Sequence, residues 1–256
     1  LHEKLIEYLQ PGQKDSYETY ETIINLYHKG ICCKLSDETL QMVMNKYKVT
    51  NQYSDKSLTN WEQFLQSDYS LFIDYLYGQS LTKTICSQCS HVFENYEGFS
   101  TLQVSVDNIN SLEEGLELFF NPLTTDLDNI WCCSECKQQN KPKRITVIDI
   151  LPNYLVIVYK RWNYLTNLKN NTLLSFPINL DISKYTNSQN SYQSTTYDLF
   201  AVCNHIGTSK DGGHYTAYIQ NRNNIWYEYD DESVQKIAEK DIQTEWAYML
   251  FYKLAK

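Results

Sequence analysis

Proline and glycine are scarce in this chain, 5 and 8 among 256 residues, which excludes collagen-like and Pro/Gly-rich disordered classes. It also lacks a basic surplus: 22 Lys and Arg face 31 Asp and Glu, a net charge of −9. A phosphate-binding surface needs clustered cations to displace counterions, so nucleic acid is a poor default partner, and one with a basic patch fits better. No apolar run approaches the roughly 20 residues of a membrane span. The longest, Tyr154 to Tyr159, is strand-sized, so no membrane partner is expected. The opening Leu1-His2-Glu3-Lys4 is no signal peptide and has no initiator Met. The numbered chain is therefore expected to start inside a longer polypeptide.

What the chain does have is tyrosine, 22 of them, which combine large apolar area with a polar tip and suit sheets and wet protein interfaces. At this length it can bury a substantial core in one large domain or two small ones. Its eight cysteines are too sparse for a small disulfide scaffold. Their spacing suggests metal and a reducing compartment, cytoplasm or nucleus.

Hydrophobic spacing predicts helices over 1–10 and 17–29, and from Ser36 through Leu40 to Tyr47. Shorter helical segments follow at Trp61–Leu65 and Leu71–Tyr77, after a polar linker at 49–60. Beyond residue 80 the period changes. Thr82–Ile85 leads into a cysteine pair, and Phe99–Val106 alternates like a strand. Ser111 starts a helix through Phe120, with Glu114 placed for a capping box. Strands are predicted at 143–150, 154–160, 198–203, 215–220 and 225–230, and an exposed loop at 183–196. Helices first and a mainly antiparallel sheet afterwards make an α+β fold.

Cys86-Ser87-Gln88-Cys89 and Cys133-Ser134-Glu135-Cys136 are two C-x-x-C pairs flanked by strand-like sequence. Two hairpin tips carrying two thiolates each can close on one structural Zn2+ as a ribbon. A redox motif would explain one pair but not two. Cys132 leaves the register open; Cys133 is preferred because its spacing matches the first pair.

Gly212-Gly213-His214-Tyr215 opens one strand, and Trp226 to Asp230-Asp231 closes the next, with Asn221–Asn224 as the turn. A three-residue loop pairs His214 with Asp230; a four-residue loop pairs it with Asp231. Either way an imidazole meets a carboxylate, as in a general base held by an orienting acid. The alternative is a surface histidine beside a solvated acidic turn. The two glycines allow close approach of a substrate backbone.

Gly213-His214-Tyr215-Thr216-Ala217-Tyr218 with Trp226-Tyr227-Glu228-Tyr229-Asp230-Asp231 resembles the histidine box of the ubiquitin-specific proteases, the papain-like cysteine deubiquitinases. The resemblance extends to Tyr197–Gly207, Leu151–Trp162, Phe176-Pro177, the two C-x-x-C pairs, Asp74–Gln79 and Ala247–Tyr252. It covers roughly residues 61–256, with Leu1-His2-Glu3 matching a fragment of the preceding helix. It implies a thumb–palm–fingers architecture in one catalytic-domain fragment spanning 1–256. Residues 1–80 would be the helical thumb remainder with an insertion at 14–60, residues 81–145 the zinc-ribbon fingers, and 146–256 the palm.

The implied partners are ubiquitin and ubiquitinated proteins, and the implied reaction is hydrolysis of the isopeptide or peptide bond at the ubiquitin C-terminal glycine. His214 would be the base, Asp230 the orienting acid, and Asp231 a second acid or a group near the oxyanion. Gly212, Gly213 and Tyr215 would line the channel for the ubiquitin tail, beneath a mobile flap at Ile206–Gly213. One departure stands out. The family's Gly-Asn-Thr-Cys-Tyr type of nucleophile box is missing, and Gly30-Ile31-Cys32-Cys33-Lys34-Leu35 lacks its pattern. The nucleophile is therefore expected upstream of residue 1, and the chain alone is expected to be inactive. The alternative is a non-catalytic ubiquitin-binding or scaffolding pseudoprotease.

Overall fold

The computed structural model describes residues 14–67, 69–121, 130–163, 168–209 and 212–255. The helix expected over 1–10 lies outside them. Among the described residues four helices come first: α1 (Ser16–Ile31), α2 (Asp37–Thr50), α3 (Asp55–Ser67) and α4 (Leu71–Leu76). Three strands follow, β1 (Gly78–Ile85), β2 (Val92–Phe99) and β3 (Thr101–Ser105), and then α5 (Leu112–Phe120). Two short pairs are β4 (Trp131–Cys132) with β5 (Gln139–Asn140), and β8 (Trp162–Asn163) with β9 (Leu168–Lys169). The longer strands between and after them are β6 (Lys143–Ile150), β7 (Tyr154–Lys160), β10 (Asn179–Asp181), β11 (Thr196–Ser209), β12 (Gly212–Gln220), β13 (Trp226–Asp230), β14 (Ser233–Ile237) and β15 (Ala247–Leu254).

Helix starts follow local chemistry. Asp15 caps α1 by accepting from the Tyr17 and Glu18 amides, and Ser36 caps α2 through the Thr39 amide. At α5, Ser111 accepts from the Glu114 amide while the Glu114 carboxylate takes the Asn110 amide at 2.8 Å, one residue earlier than a standard capping box. The buried spacing Leu112, Leu116, Phe120 fixes which face of α5 turns inward.

Eight strands form the palm: β14-β13-β12-β11-β15-β7-β3 in order, with β10 added on β11. All pairs are antiparallel except β3 with β7. One face carries the main core of Ile157, Tyr159, Tyr197, Val202, Leu250 and Tyr252, closed by α5 and the 174–185 segment. On the other face Val156, Val158, Tyr248 and Met249 are covered by Tyr17 and Tyr20 of α1. A separate three-stranded sheet, β2-β1-β6, builds the fingers. α2, α3 and α4 pack together through Leu40, Met44, Trp61, Leu65 and Ile73, and Ile150 at the end of β6 joins that cluster.

Three sequence expectations need correction. The stretch 49–60 is not all linker, because α3 begins at Asp55. Its inward contact there is polar, Ser57 donating to Asp149, so apolar periodicity did not reveal it. The 183–196 segment is not an exposed loop. Asn187 and Asn190 from it, with Ser57 and Gln79, donate hydrogen bonds to the fully buried Asp149 carboxylate at 2.7–3.0 Å. A buried charge needs such partners, and those donors lock α3, β1, β6 and this segment together. Finally, 81–145 is not fingers throughout: β3 pairs with β7 in the palm, and α5 seals the palm core.

Candidate functional site

Strands β12 and β13 are joined by a five-residue loop, Asn221–Ile225, one longer than the longer loop considered from sequence. The Asn221 side chain accepts from the Asn223 and Ile225 amides, while the Asn221 amide donates to the Ile225 carbonyl at 2.9 Å. The resulting register pairs Gln220 with Trp226 and Ala217 with Tyr229. Continued outward, it sets Asp230 beside Thr216, so neither acid lies directly across from His214. Parity is nonetheless preserved, and Asp230 reaches His214 on the diagonal, a distance that long side chains span on one sheet face. His214 Nε2 and Asp230 Oδ1 are hydrogen-bonded.

Asp231 opens the two-residue turn into β14 with φ 47°, and its carboxylate joins His214 and Asp230 in a group whose polar atoms all lie within 4.8 Å. The hydrogen bond to Asp230, aided by the charges of Asp230 and Asp231, raises the His214 pKa above its ordinary 6.5. The stabilisation from this pair is therefore full below about 6.5 and is lost as pH rises through the folded-state value. Nuclear magnetic resonance titration of His214 should give a midpoint above 6.5 in the native chain and a lower one in Asp230→Asn, where only the Asp231 charge still raises it. A midpoint unmoved by that substitution would separate the two groups in solution.

Behind this pair, β11 and β12 approach closely. Gly213 is exposed, yet a Cβ on it would meet His205 Nε2 at 2.5 Å and the Ile206 carbonyl at 2.6 Å. Gly212 pairs with Ser209 across a bulge, and Tyr215 pairs with His205. The described part of 206–213 is thus extended strand with a bulge between Ile206 and Ser209 rather than loop; Lys210 and Asp211 lie outside the described residues. The Tyr215 hydroxyl donates to Asp15 at 3.3 Å and the Tyr248 hydroxyl does so at 3.1 Å, fixing the start of α1 beside β12. His205, which sequence reasoning gave no role, is 1% exposed between Trp162, Tyr215 and Tyr248. Burial and the nearby Lys169 bring its pKa down to about 4, keeping the ring neutral.

At the far end of the fingers, Cys86, Cys89, Cys133 and Cys136 converge with all four sulfurs within 4.8 Å of one another. The two knuckles are built alike. The Cys86 amide donates to the His91 carbonyl and the Ser90 amide returns to Cys86; the Cys133 amide donates to Gln138 and Lys137 returns to Cys133. Ser90 and Lys137 both take positive φ, 58° and 60°, to close the turns. Sulfur separations of 3.8 Å (Cys86–Cys136) and 3.7 Å (Cys89–Cys133) match the edge of a tetrahedron with metal–thiolate bonds of about 2.3 Å.

Backbone and side-chain donors also reach the site: the Gln88 amide and the Asn140 Nδ2 both point at Cys86 Sγ. Burial opposes ionisation of Cys86, but the Cys89 and Gln88 amides outweigh it and lower the thiol to about 6. Cys136 is pushed up to about 12: the Gln138 amide favours its thiolate, but burial and the other three cysteines outweigh it. Four such thiolates ionise together only around a cation. The Cys132 thiol, in contrast, is exposed and donates to the Lys137 carbonyl, outside the group.

Helices against a mainly antiparallel sheet, a hairpin joining imidazole to carboxylate, and a four-cysteine ribbon on separate fingers define an α+β thumb–palm–fingers protein of the papain-like class. The chain belongs to the family described as "Ubiquitin carboxyl-terminal hydrolase", whose profile matches residues 5–252, and that family comprises cysteine-type deubiquitinating hydrolases. It is 29% identical over 265 residues to ubiquitin carboxyl-terminal hydrolase 4 of Vanderwaltozyma polyspora, covering 94% of this chain and 30% of that protein. It is 38% identical over 146 residues to ubiquitin carboxyl-terminal hydrolase 8 of Arabidopsis thaliana, covering 56% and 17%. Among solved structures, the SAGA Ubp8/Sgf11/Sus1/Sgf73 DUB module bound to ubiquitin aldehyde superposes with a TM-score of 0.70 at 21% identity, covering 96% of this chain and 50% of that one. The chain thus spans under a third of those curated relatives and half of that structural neighbour.

Proposed function

We propose that this chain carries the histidine–aspartate half of a thiol protease site that cleaves the isopeptide or peptide bond at the C-terminal glycine of ubiquitin. The observation that carries the reading is the His214–Asp230 hydrogen bond at the open end of β12 and β13. With Nε2 engaged by Asp230, Nδ1 is left as the base. It takes a proton from a thiol, the thiolate attacks the glycine carbonyl, and the imidazolium, stabilised by Asp230, returns the proton to the leaving amine. Water then releases ubiquitin from the thioester. Asp231 serves as a second acid or polarises groups near the oxyanion, and Gly212, Gly213 and Tyr215 line the channel for the ubiquitin tail.

None of the eight cysteines suits the nucleophile. Cys86, Cys89, Cys133 and Cys136 form the ribbon and are proposed to hold one structural Zn2+, whose bound charge would balance their thiolates, and Cys132 sits beside them in the same knuckle, donating to the Lys137 carbonyl. Strand alternation puts Cys203, opposite Ala217, on the sheet face away from His214. Cys32 and Cys33 follow the C-terminal end of α1, about 24 Å along the helix from the Asp15 that touches Tyr215. The thiol is therefore assigned to a position outside these eight, as the family's separate nucleophile box implies. Treating the full-length protein with a ubiquitin bearing a C-terminal electrophile should give a covalent adduct. Failure to form one, with ubiquitin still bound reversibly, would leave a non-catalytic ubiquitin-binding module instead.

A further inference from the structure

The β8–β9 hairpin takes no part in the chemistry above, yet its last residue reaches the strand that feeds His214. Lys169 Nζ donates to the carbonyls of His205 and Gly207, and Asn171 Nδ2 donates to the same Gly207 carbonyl at 3.4 Å. The ammonium also lies over the indole rings of Trp162 and Trp246, 5.7 and 5.3 Å from their centroids. Gly207 has φ +151°, and a Cβ there would meet the Gly212 carbonyl oxygen and the Gly213 Cα at 3.0 Å. It sits in the bulge where the β11–β12 pairing shifts between Ile206 and Ser209, one residue from the Ile206–His214 pair.

We infer that Lys169 is a positioning residue: its ammonium clamps the Gly207 bulge against the β8–β9 hairpin and so holds β12, and with it His214, in place. The bulge interrupts the β11–β12 ladder, so the segment between Ile206 and Ser209 has no paired register of its own. An ammonium held between two carbonyls and two indole faces supplies the missing restraint. A neutral amine would keep at most one or two ordinary hydrogen bonds and lose the attraction to the rings.

Three groups act on that charge. Burial, with the Arg161 guanidinium adding repulsion, lowers the Lys169 pKa to about 8, while Glu245 opposes the shift. The third neighbour, His205, is neutral above pH of about 4 and adds no charge to the balance. The clamp is therefore charged at neutral pH and is released as pH rises through 8.

The importance of the clamp for catalysis rests on the function proposed above, but the clamp itself is testable without activity. Amide exchange protection factors over 204–208 and 213–217 would be measured in this chain between pH 6 and 10, together with indole fluorescence. The native chain should lose about tenfold in protection, with a fluorescence transition, centred near pH 8. Lys169→Met should show the reduced protection at every pH, and Lys169→Arg, which stays charged, should keep the protection at every pH. If Lys169→Met fails to fold, the native chain against Lys169→Arg still decides the matter. Protection that is independent of pH in the native chain, or a transition that persists in Lys169→Arg, overturns the clamp. Intact clamp behaviour with no adduct to the ubiquitin electrophile would count against the proposed enzyme function alone.

Discussion

Replacing Cys86 or Cys133 with serine, or withdrawing the metal with a chelator, is expected to unfold the outer fingers while the palm remains folded. The residues around the ribbon bury little else: Cys86 and Cys133 are the buried apolar side chains between 82 and 101 and between 130 and 140, among the described residues. A metal that draws four thiolates together contributes roughly 10 kcal/mol or more of apparent folding free energy in small zinc modules, far above any other local interaction here. The palm has its own core on both sheet faces and does not depend on the ribbon. Metal analysis of the purified chain should give close to one zinc. Exchange mass spectrometry should then show loss of protection in 85–92 and 131–140 after chelation, with β7, β11 and β15 unchanged. Cys132→Ser serves as the control and should change stability by less than about 0.5 kcal/mol, because its exposed thiol lies outside the sulfur group. A metal-free chain with fully protected fingers would refute the structural role.

The second large effect concerns the hairpin. In the full-length protein, His214→Ala should lower kcat/KM for a ubiquitin C-terminal amide by about 10⁴-fold with unchanged folding, since no base remains for the thiol. Asp230→Asn should cost less, about a hundredfold, because Asp231 lies close enough to share the task of orienting the ring. Replacing both acids should approach the His214→Ala value, the non-additivity expected of groups acting as one unit. Full activity in His214→Ala would dispose of the base assignment, whatever the family membership.

How much of this could be read from residue order depends on the range over which each feature is specified. The cysteine ribbon was legible because each knuckle is closed within six residues, and even the choice of Cys133 over Cys132 followed from spacing alone. That His214 meets an acid was legible from the hairpin, since an odd-numbered loop sets Asp230, and an even-numbered one Asp231, on its sheet face. Its register was not: Asn221 uses its side chain to extend the loop to five residues, and nothing in composition announces that choice. The strand β2 went unread because Val92 to Phe99 alternates weakly and faces solvent over half its length. The role of 183–196 escaped because asparagines read as loop formers, whereas here two of them satisfy a carboxylate buried 38 and 41 residues away in sequence.

The sequence by itself determined the class of fold, the grouping of four cysteines and the pairing of an imidazole with an acid, because each is written in periods and spacings that local backbone geometry enforces. Tertiary structure alone decided which acid takes His214, where Asp149 finds its donors, how α1 is pinned through Asp15 to Tyr215 and Tyr248, and why Lys169 reaches the Gly207 carbonyl. Those contacts join residues from 16 to 233 positions apart, and their partners are selected by packing and by the cost of leaving a buried polar group unpaired.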